Sequence, residues 1–169
     1  MLNALLKSRI LPFALLVCTS GSIGAVNVGE MAPNIKLPQL ESESSLSLAD
    51  FRGKVVYLDF WASWCGSCRV SLPMFSELRD EFSKKGFEVI GVNVDKKTQL
   101  GIDFINKYPV SFPMLKDPAG KTPQLYSLKG MPSSFLIDKT GKVRHVHVGF
   151  KKSDMPGIRQ QVISLLKEK

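Results

Sequence analysis

The chain holds 169 residues, 44% of them hydrophobic and 22% charged, with a formal net charge of +8. That is enough for one domain with its own core, and the composition excludes a disordered or repeat protein. Basic residues are scattered, with doublets at Lys84-Lys85, Lys96-Lys97 and Lys151-Lys152 and no stripe interleaved with aromatics. This excludes a nucleic-acid binder and leaves a solvated basic surface suited to acidic partners or anionic lipid.

Residues 1–25 read as a targeting segment. Lys7 and Arg9 form a positive stretch, Ile10 to Val17 a short apolar one, and Ile23-Gly24-Ala25 a signal-peptidase site. The apolar run is short for a membrane span, so cleavage is expected and an uncleaved N-terminal anchor is the alternative. Val17 is bulkier than lipoprotein processing wants before a cysteine, so Cys18 is read as an apolar residue of the leader. The domain is then 26–169, exported, with the periplasm as the expected compartment.

Pro33 and Pro38 keep residues 32–38 extended, residues 41–45 form a polar turn, and Leu46-Ser47-Leu48 alternates like a strand. Together they predict an N-terminal hairpin. The periodicity then predicts a strand over 55–61 and a helix over 66–85 that contains Pro73. A second strand at 87–94 and a helix at 99–107 ending near Tyr108-Pro109 follow. Residues 112–117 read as a short extended piece and 120–128 as a helical or irregular stretch. Strands at 133–138 and 143–148 are joined by Lys139-Thr140-Gly141-Lys142. A final helix carries Ser153 as its N-cap, Pro156 in its first turn, and Ile158, Val162 and Leu165 on one face. The order β-α-β, hairpin, helix gives an α/β fold with a mixed central sheet flanked by helices.

The chemistry concentrates at Cys65-Gly66-Ser67-Cys68, where an apolar strand hands over to a helix start. Unpaired N–H groups and the helix dipole favour thiolate there. Cys65, nearest the helix start, is the candidate nucleophile. Cys68, one turn on and more shielded, is the candidate resolving thiol, near enough to close a Cys65–Cys68 disulfide. A structural bridge across so short a gap removes almost no chain entropy, which leaves a catalytic role as the better explanation. Structural zinc needs a second ligand pair, and the only other cysteine is Cys18. Asp59 sits in the middle of the apolar strand, where a carboxylate is costly, so a raised pKa and a proton relay with Cys68 are expected. An acid bonded to a neighbouring group is the alternative. Trp64 is expected on the docking face, Trp61 equally as packing. His145 and His147 share one strand face and are read as solvated, without a metal.

The segment Asp59-Phe60-Trp61-Ala62-Ser63-Trp64-Cys65-Gly66-Ser67-Cys68 resembles the active-site stretch of the thioredoxin family. Phe112-Pro113, Asp117, Gly130-Met131-Pro132 and Phe135-Leu136-Ile137-Asp138 follow in that family's order. The leading hairpin and the extra helix after Val94 are similar to exported TlpA/ResA-type proteins. The resemblance implies a thioredoxin-like fold with an N-terminal β-hairpin extension and an extra helix insertion. It further implies a cis Met131–Pro132 bond, with Met131, Trp64, Gly66 and Ser67 contacting an extended protein substrate. No cofactor beyond the redox-active disulfide is expected. The basic partner thioredoxin has for its buried acid falls at Gly91, so that ion pair is absent. Gly66-Ser67 lacks the histidine that DsbA-type oxidants carry, which leans toward a monomeric protein-disulfide reductase recharged by a membrane donor of the DsbD/CcdA type, with apocytochrome c thiols among its substrates. The alternatives are a peroxiredoxin-like peroxidase, whose Pro-x-x-x-Thr/Ser-x-x-Cys setting is missing here, and a copper-binding redox chaperone, whose cysteine spacing is longer.

Overall fold

The computed structural model describes residues 26–168. The expected leader, 1–25, lies outside them. Among the described residues no helix is long and apolar enough to cross a membrane.

Two short strands come first, β1 (Lys36–Pro38) and β2 (Ser45–Ser47), paired antiparallel as the expected hairpin. The core then runs β3 (Val55–Trp61), α1 (Cys68–Phe82), β4 (Phe87–Asn93), α2 (Thr98–Lys107), β5 (Met114–Lys116), α3 (Lys121–Leu125), β6 (Ser133–Ile137), β7 (Val143–Val148) and α4 (Met155–Lys167). The five-stranded sheet has the order β5-β4-β3-β6-β7. β3, β4 and β5 are parallel neighbours, β6 is antiparallel to β3, and β7 is antiparallel to β6. All seven residues of β3 and all seven of β4 are buried, as central strands covered on both faces must be.

Alternation along β3 divides the core. Val55, Tyr57 and Trp61 face one side and pack with Leu72, Phe75, Leu78 and Phe82 of α1, Phe104 of α2, and Ile158, Val162 and Leu165 of α4. Val56, Leu58 and Phe60 face the other, packed with Ile35, Leu48, Tyr126, Phe135 and Val143. The first face is the helical one. The second is covered by the N-terminal segment and the residues around α3. Each large side chain so buried contributes about 1.5–3 kcal/mol relative to exposure.

The starts of α1 and α4 differ from the sequence reading in ways that bear on the site and the last helix. α1 begins at Cys68 rather than residue 66, because residues 65–67 form a turn closed by Cys68 N–H to the Cys65 carbonyl at 3.2 Å. α4 is preceded by a 3-10 turn at Lys152–Asp154, so Asp154, not Ser153, stands at its N-cap. The Asp154 carboxylate accepts from the Lys151 N–H at 2.8 Å, which closes the 3-10 turn one residue past the expected cap. Pro156 does lie in the first turn. The α1 segment ends in a 3-10 turn whose C-cap, Gly86, has φ 91°, a conformation that favours glycine.

Candidate active site

β3 delivers Cys65 and α1 carries Cys68, with their Cα atoms 5.3 Å apart and their sulfurs bonded. Ser67 caps α1 without using its side chain. The hydroxyl instead lies 3.6 Å from Cys65 Sγ, and the Cys68 N–H donates to the same sulfur at 3.2 Å. The positive end of α1 is thus aimed at Cys65. When the bridge opens, that N–H and the helix dipole stabilise a Cys65 thiolate. Cys65 is 5% exposed and Cys68 fully buried, so Cys65 is the sulfur that reaches the surface. Arg69, the nearest cation in sequence, is held over the Tyr108 ring, 5.5 Å from its centroid.

The two tryptophans near the sulfurs differ in exposure. Trp64 is 68% exposed, a large apolar surface beside the bridge. Trp61 is fully buried against Phe104 and belongs to the packing. Gly66 is exposed. The Met131–Pro132 peptide is cis. Met131 is half-buried and packs against the cluster that holds both cysteines.

Residues 62–64 are clamped by a network that the sequence reading missed. Ser63 donates its N–H to Asp95 Oδ2 at 2.8 Å and its hydroxyl to Asp95 Oδ1 at 3.0 Å. Asn93 Nδ2 donates to Asp95 Oδ2 at 2.8 Å, and Asp95 N–H returns to Asn93 Oδ1 at 3.2 Å. Asn93 and Asp95 are buried. α2 approaches closely because residue 101 is glycine: a Cβ there would lie 2.8 Å from the Asn93 carboxamide. In the sequence Asn93-Val94-Asp95 looks like an ordinary strand end. Asp95→Ala strands the donors of both Ser63 and Asn93. It is expected to cost about 2–3 kcal/mol in urea denaturation; an unchanged midpoint would show that this clamp carries no load.

Asp59 is fully buried on the helical face of β3, between Tyr57 and Trp61. Its register neighbours are Gly91 on β4 and Ser134 on β6. A Cβ at Gly91 would strike the Met114 thioether and come within 3.1 Å of Trp61 Nε1, so the side chains of β5 and β3 occupy the place a base would need. Ser134 is the partner the sequence reading left unnamed: its hydroxyl donates to Asp59 Oδ1 at 2.6 Å. Oδ2 is buried with no hydrogen-bond partner. Burial raises the carboxyl to about 7, and the Ser134 hydrogen bond opposes that rise. A carboxyl that titrates near neutrality, on the face shared with the cysteines, can exchange a proton with a thiol.

The two histidines depart from the expected solvated face. Both are half-buried and stacked, with centroids 6.4 Å apart and planes 9° from parallel. His147 Nδ1 lies 3.1 Å from the Tyr57 hydroxyl. The outward residues of β7 are Val146 and Val148, 37% and 55% exposed. Strand alternation turns the histidines toward α4 because Ser134 and Leu136, their register partners on β6, face the helices.

Residues 28–146 match the AhpC/TSA family. The thiol-disulfide oxidoreductase ResA of Bacillus cereus is 33% identical over 150 residues, covering 81% of this chain and 86% of that protein. ResA of Geobacillus thermodenitrificans is 36% identical over 125 residues, covering 74% and 71%. Among solved structures, a Chlorobium tepidum protein assigned as the thiol:disulfide interchange protein DsbE superposes with a TM-score of 0.81 at 44% identity, covering 84% of this chain and 99% of that one. A thiol-disulfide oxidoreductase from Bacteroides fragilis gives 0.68 at 26% identity, covering 79% and 99%.

Proposed function

Since this chain belongs to the AhpC/TSA family of the thioredoxin superfamily and is a thiol-disulfide oxidoreductase with protein thiols and disulfides as its substrates, we propose that it works as a reductase outside the cytoplasm, with Cys65 as nucleophile. The observation that supports this most is the Cys68 N–H directed at Cys65 Sγ.

In the reduced enzyme the Cys65 thiolate attacks a client disulfide. A Cys65–client bond forms, the client S–S bond breaks, and the released client thiolate takes a proton. Asp59 carboxylate accepts the Cys68 proton, and the Cys68 thiolate attacks Cys65 Sγ. The second client thiolate leaves, and the Cys65–Cys68 bridge holds the two electrons' worth of oxidation. Trp64 and the Met131–Pro132 loop offer the client an apolar surface and backbone groups. No cofactor takes part. A membrane dithiol donor of the DsbD/CcdA type restores the dithiol by the reverse exchange, and apocytochrome c thiols are among the clients. The chain acts as a monomer, from the periplasm, after loss of the 1–25 leader or anchored by it.

Reduction rather than oxidation follows from how Cys65 is stabilised. The helix terminus supplies an N–H and a dipole, Gly66-Ser67 adds no charge, and Arg69 is engaged with Tyr108. A moderately stabilised thiolate leaves the reduced form less favoured than in DsbA-type oxidants. The potential of the Cys65/Cys68 couple, titrated against glutathione or dithiothreitol, is expected below about −200 mV. A value near about −120 mV would make the protein an oxidant. Hydrogen peroxide consumption, measured alongside, separates the peroxidase alternative, which requires turnover with peroxide.

A further inference from the structure

Asp59 has no exposed surface, yet a carboxyl that titrates exchanges its proton with water and needs a route to do so. The register of the sheet offers a route. Asp59 pairs with Ser134, and Ser134 pairs with His147, so the three side chains stand abreast on the helical face of β3, β6 and β7. Tyr57 lies two residues before Asp59 on that same face, diagonal to Ser134 and within reach of it. The Ser134 hydroxyl donates to Asp59 Oδ1 at 2.6 Å, and the Tyr57 hydroxyl meets His147 Nδ1 at 3.1 Å. Ser134 and Tyr57 are buried, whereas His147 keeps part of its surface in water.

We propose that Ser134, Tyr57 and His147 form a proton path that connects the buried Asp59 carboxyl to solvent. It rests on the relay role proposed above for Asp59. Outward transfer balances with one proton and no electrons. Protonated Asp59 donates to Ser134 Oγ, the Ser134 hydroxyl donates to Tyr57 Oη, and the Tyr57 hydroxyl donates to His147 Nδ1. A neutral imidazole receives the proton at Nδ1 and releases one from Nε2 to water, and reorientation of the two hydroxyls resets the chain.

Each member suits its place. Burial, with the Asp59 charge adding to it, pushes the Tyr57 phenol far up, so Tyr57 passes protons as a hydroxyl and does not stay ionised. The diagonal placement of Tyr57 and Ser134 across β3 and β6 is what joins the two halves of the path. Burial holds His147 below the ordinary histidine value, and neighbouring His145 adds to this, so the ring is neutral and able to accept. Gln161 and Asp154, from α4 and the turn before it, act in the opposite direction. These positioning residues touch neither client nor sulfur.

The test reads the path rather than the enzyme's turnover. After a pH jump across 7, the infrared carboxyl stretch of protonated Asp59, identified as the band that Asp59→Asn removes, relaxes at the rate of proton exchange. Tyr57→Phe keeps the ring packing and His147→Asn keeps a polar atom that cannot shuttle. Both are expected to slow this relaxation by at least about tenfold while leaving the midpoint of the Asp59 titration in place. A rate unchanged in either variant overturns the path, because an intact exit would then exist without that residue. A shifted midpoint with an unchanged rate also overturns it, by assigning the residue a purely structural role. If Asp59→Asn leaves disulfide reduction at full speed, the relay reading fails, and the relaxation still decides the path on its own.

Discussion

Cys65→Ala is expected to lower reduction of a protein disulfide by about a thousandfold or more, because no other thiol of the domain is presented to a client. Cys65 is the sulfur that receives the Cys68 N–H and retains exposure, and Cys68 is fully buried behind it. The paired variant gives the sharper result. In Cys68→Ala the first exchange proceeds and the second has no attacking thiolate, so mixed disulfides accumulate on Cys65. Non-reducing gels of cell extract, probed for this protein, should show a ladder of adducts with Cys68→Ala and none with Cys65→Ala. The opposite pattern would reverse the roles of the two cysteines.

Asp59→Asn should produce the next largest change, in both rate and stability. The Cys68 proton needs an ionised acceptor, so the rate of resolution in the wild-type chain is expected to rise with pH through the Asp59 midpoint of about 7. Asparagine accepts no proton, and the variant should be slower by about a hundredfold at neutral pH with that inflection gone. A variant whose pH–rate profile matches the wild type removes Asp59 from the mechanism. Stability moves the other way. Burial raises the folded-state pKa from 3.8 to about 7, so the protonated form favours folding. The stabilisation is fully present below about pH 3.8 and is lost as pH rises through about 7. The gap corresponds to roughly 4 kcal/mol at most. Urea denaturation from pH 4 to 8 should therefore show the wild type losing stability relative to Asp59→Asn. Equal pH dependence of the two would mean that the carboxyl is solvated in a way its burial and its unpartnered Oδ2 do not allow.

The redox motif was legible in the chain because its determinants are local. An apolar, β-branched run, a CxxC and a helical period follow one another within thirty residues, and each depends on near neighbours. The strand limits Val55–Trp61 and Val143–Val148 agree with their sequence reading for the same reason. Asp59 stood out since a carboxylate in a fully apolar strand breaks the pattern. The leader reading at 1–25 rests on sequence alone.

What Asp59 pairs with was a different kind of question. Ser134 is 75 positions away, and only the antiparallel register of β3 and β6 sets it beside the carboxylate. The place a base would take at Gly91 is filled by Met114 from β5 and the Trp61 ring, which only the packed sheet reveals. His145 and His147 alternate like a solvated face, and the sequence contains nothing to say that α4 covers that side of β7. The clamp on Ser63 joins residues 32 apart, and its glycine on α2 is read as neutral by any helical pattern. Local periodicity and turn chemistry act through neighbours along the chain and so determine elements and motif. Hydrogen bonds between strands, the burial of charge and the direction a strand face turns depend on contacts between distant segments, and only the packed tertiary structure decided them.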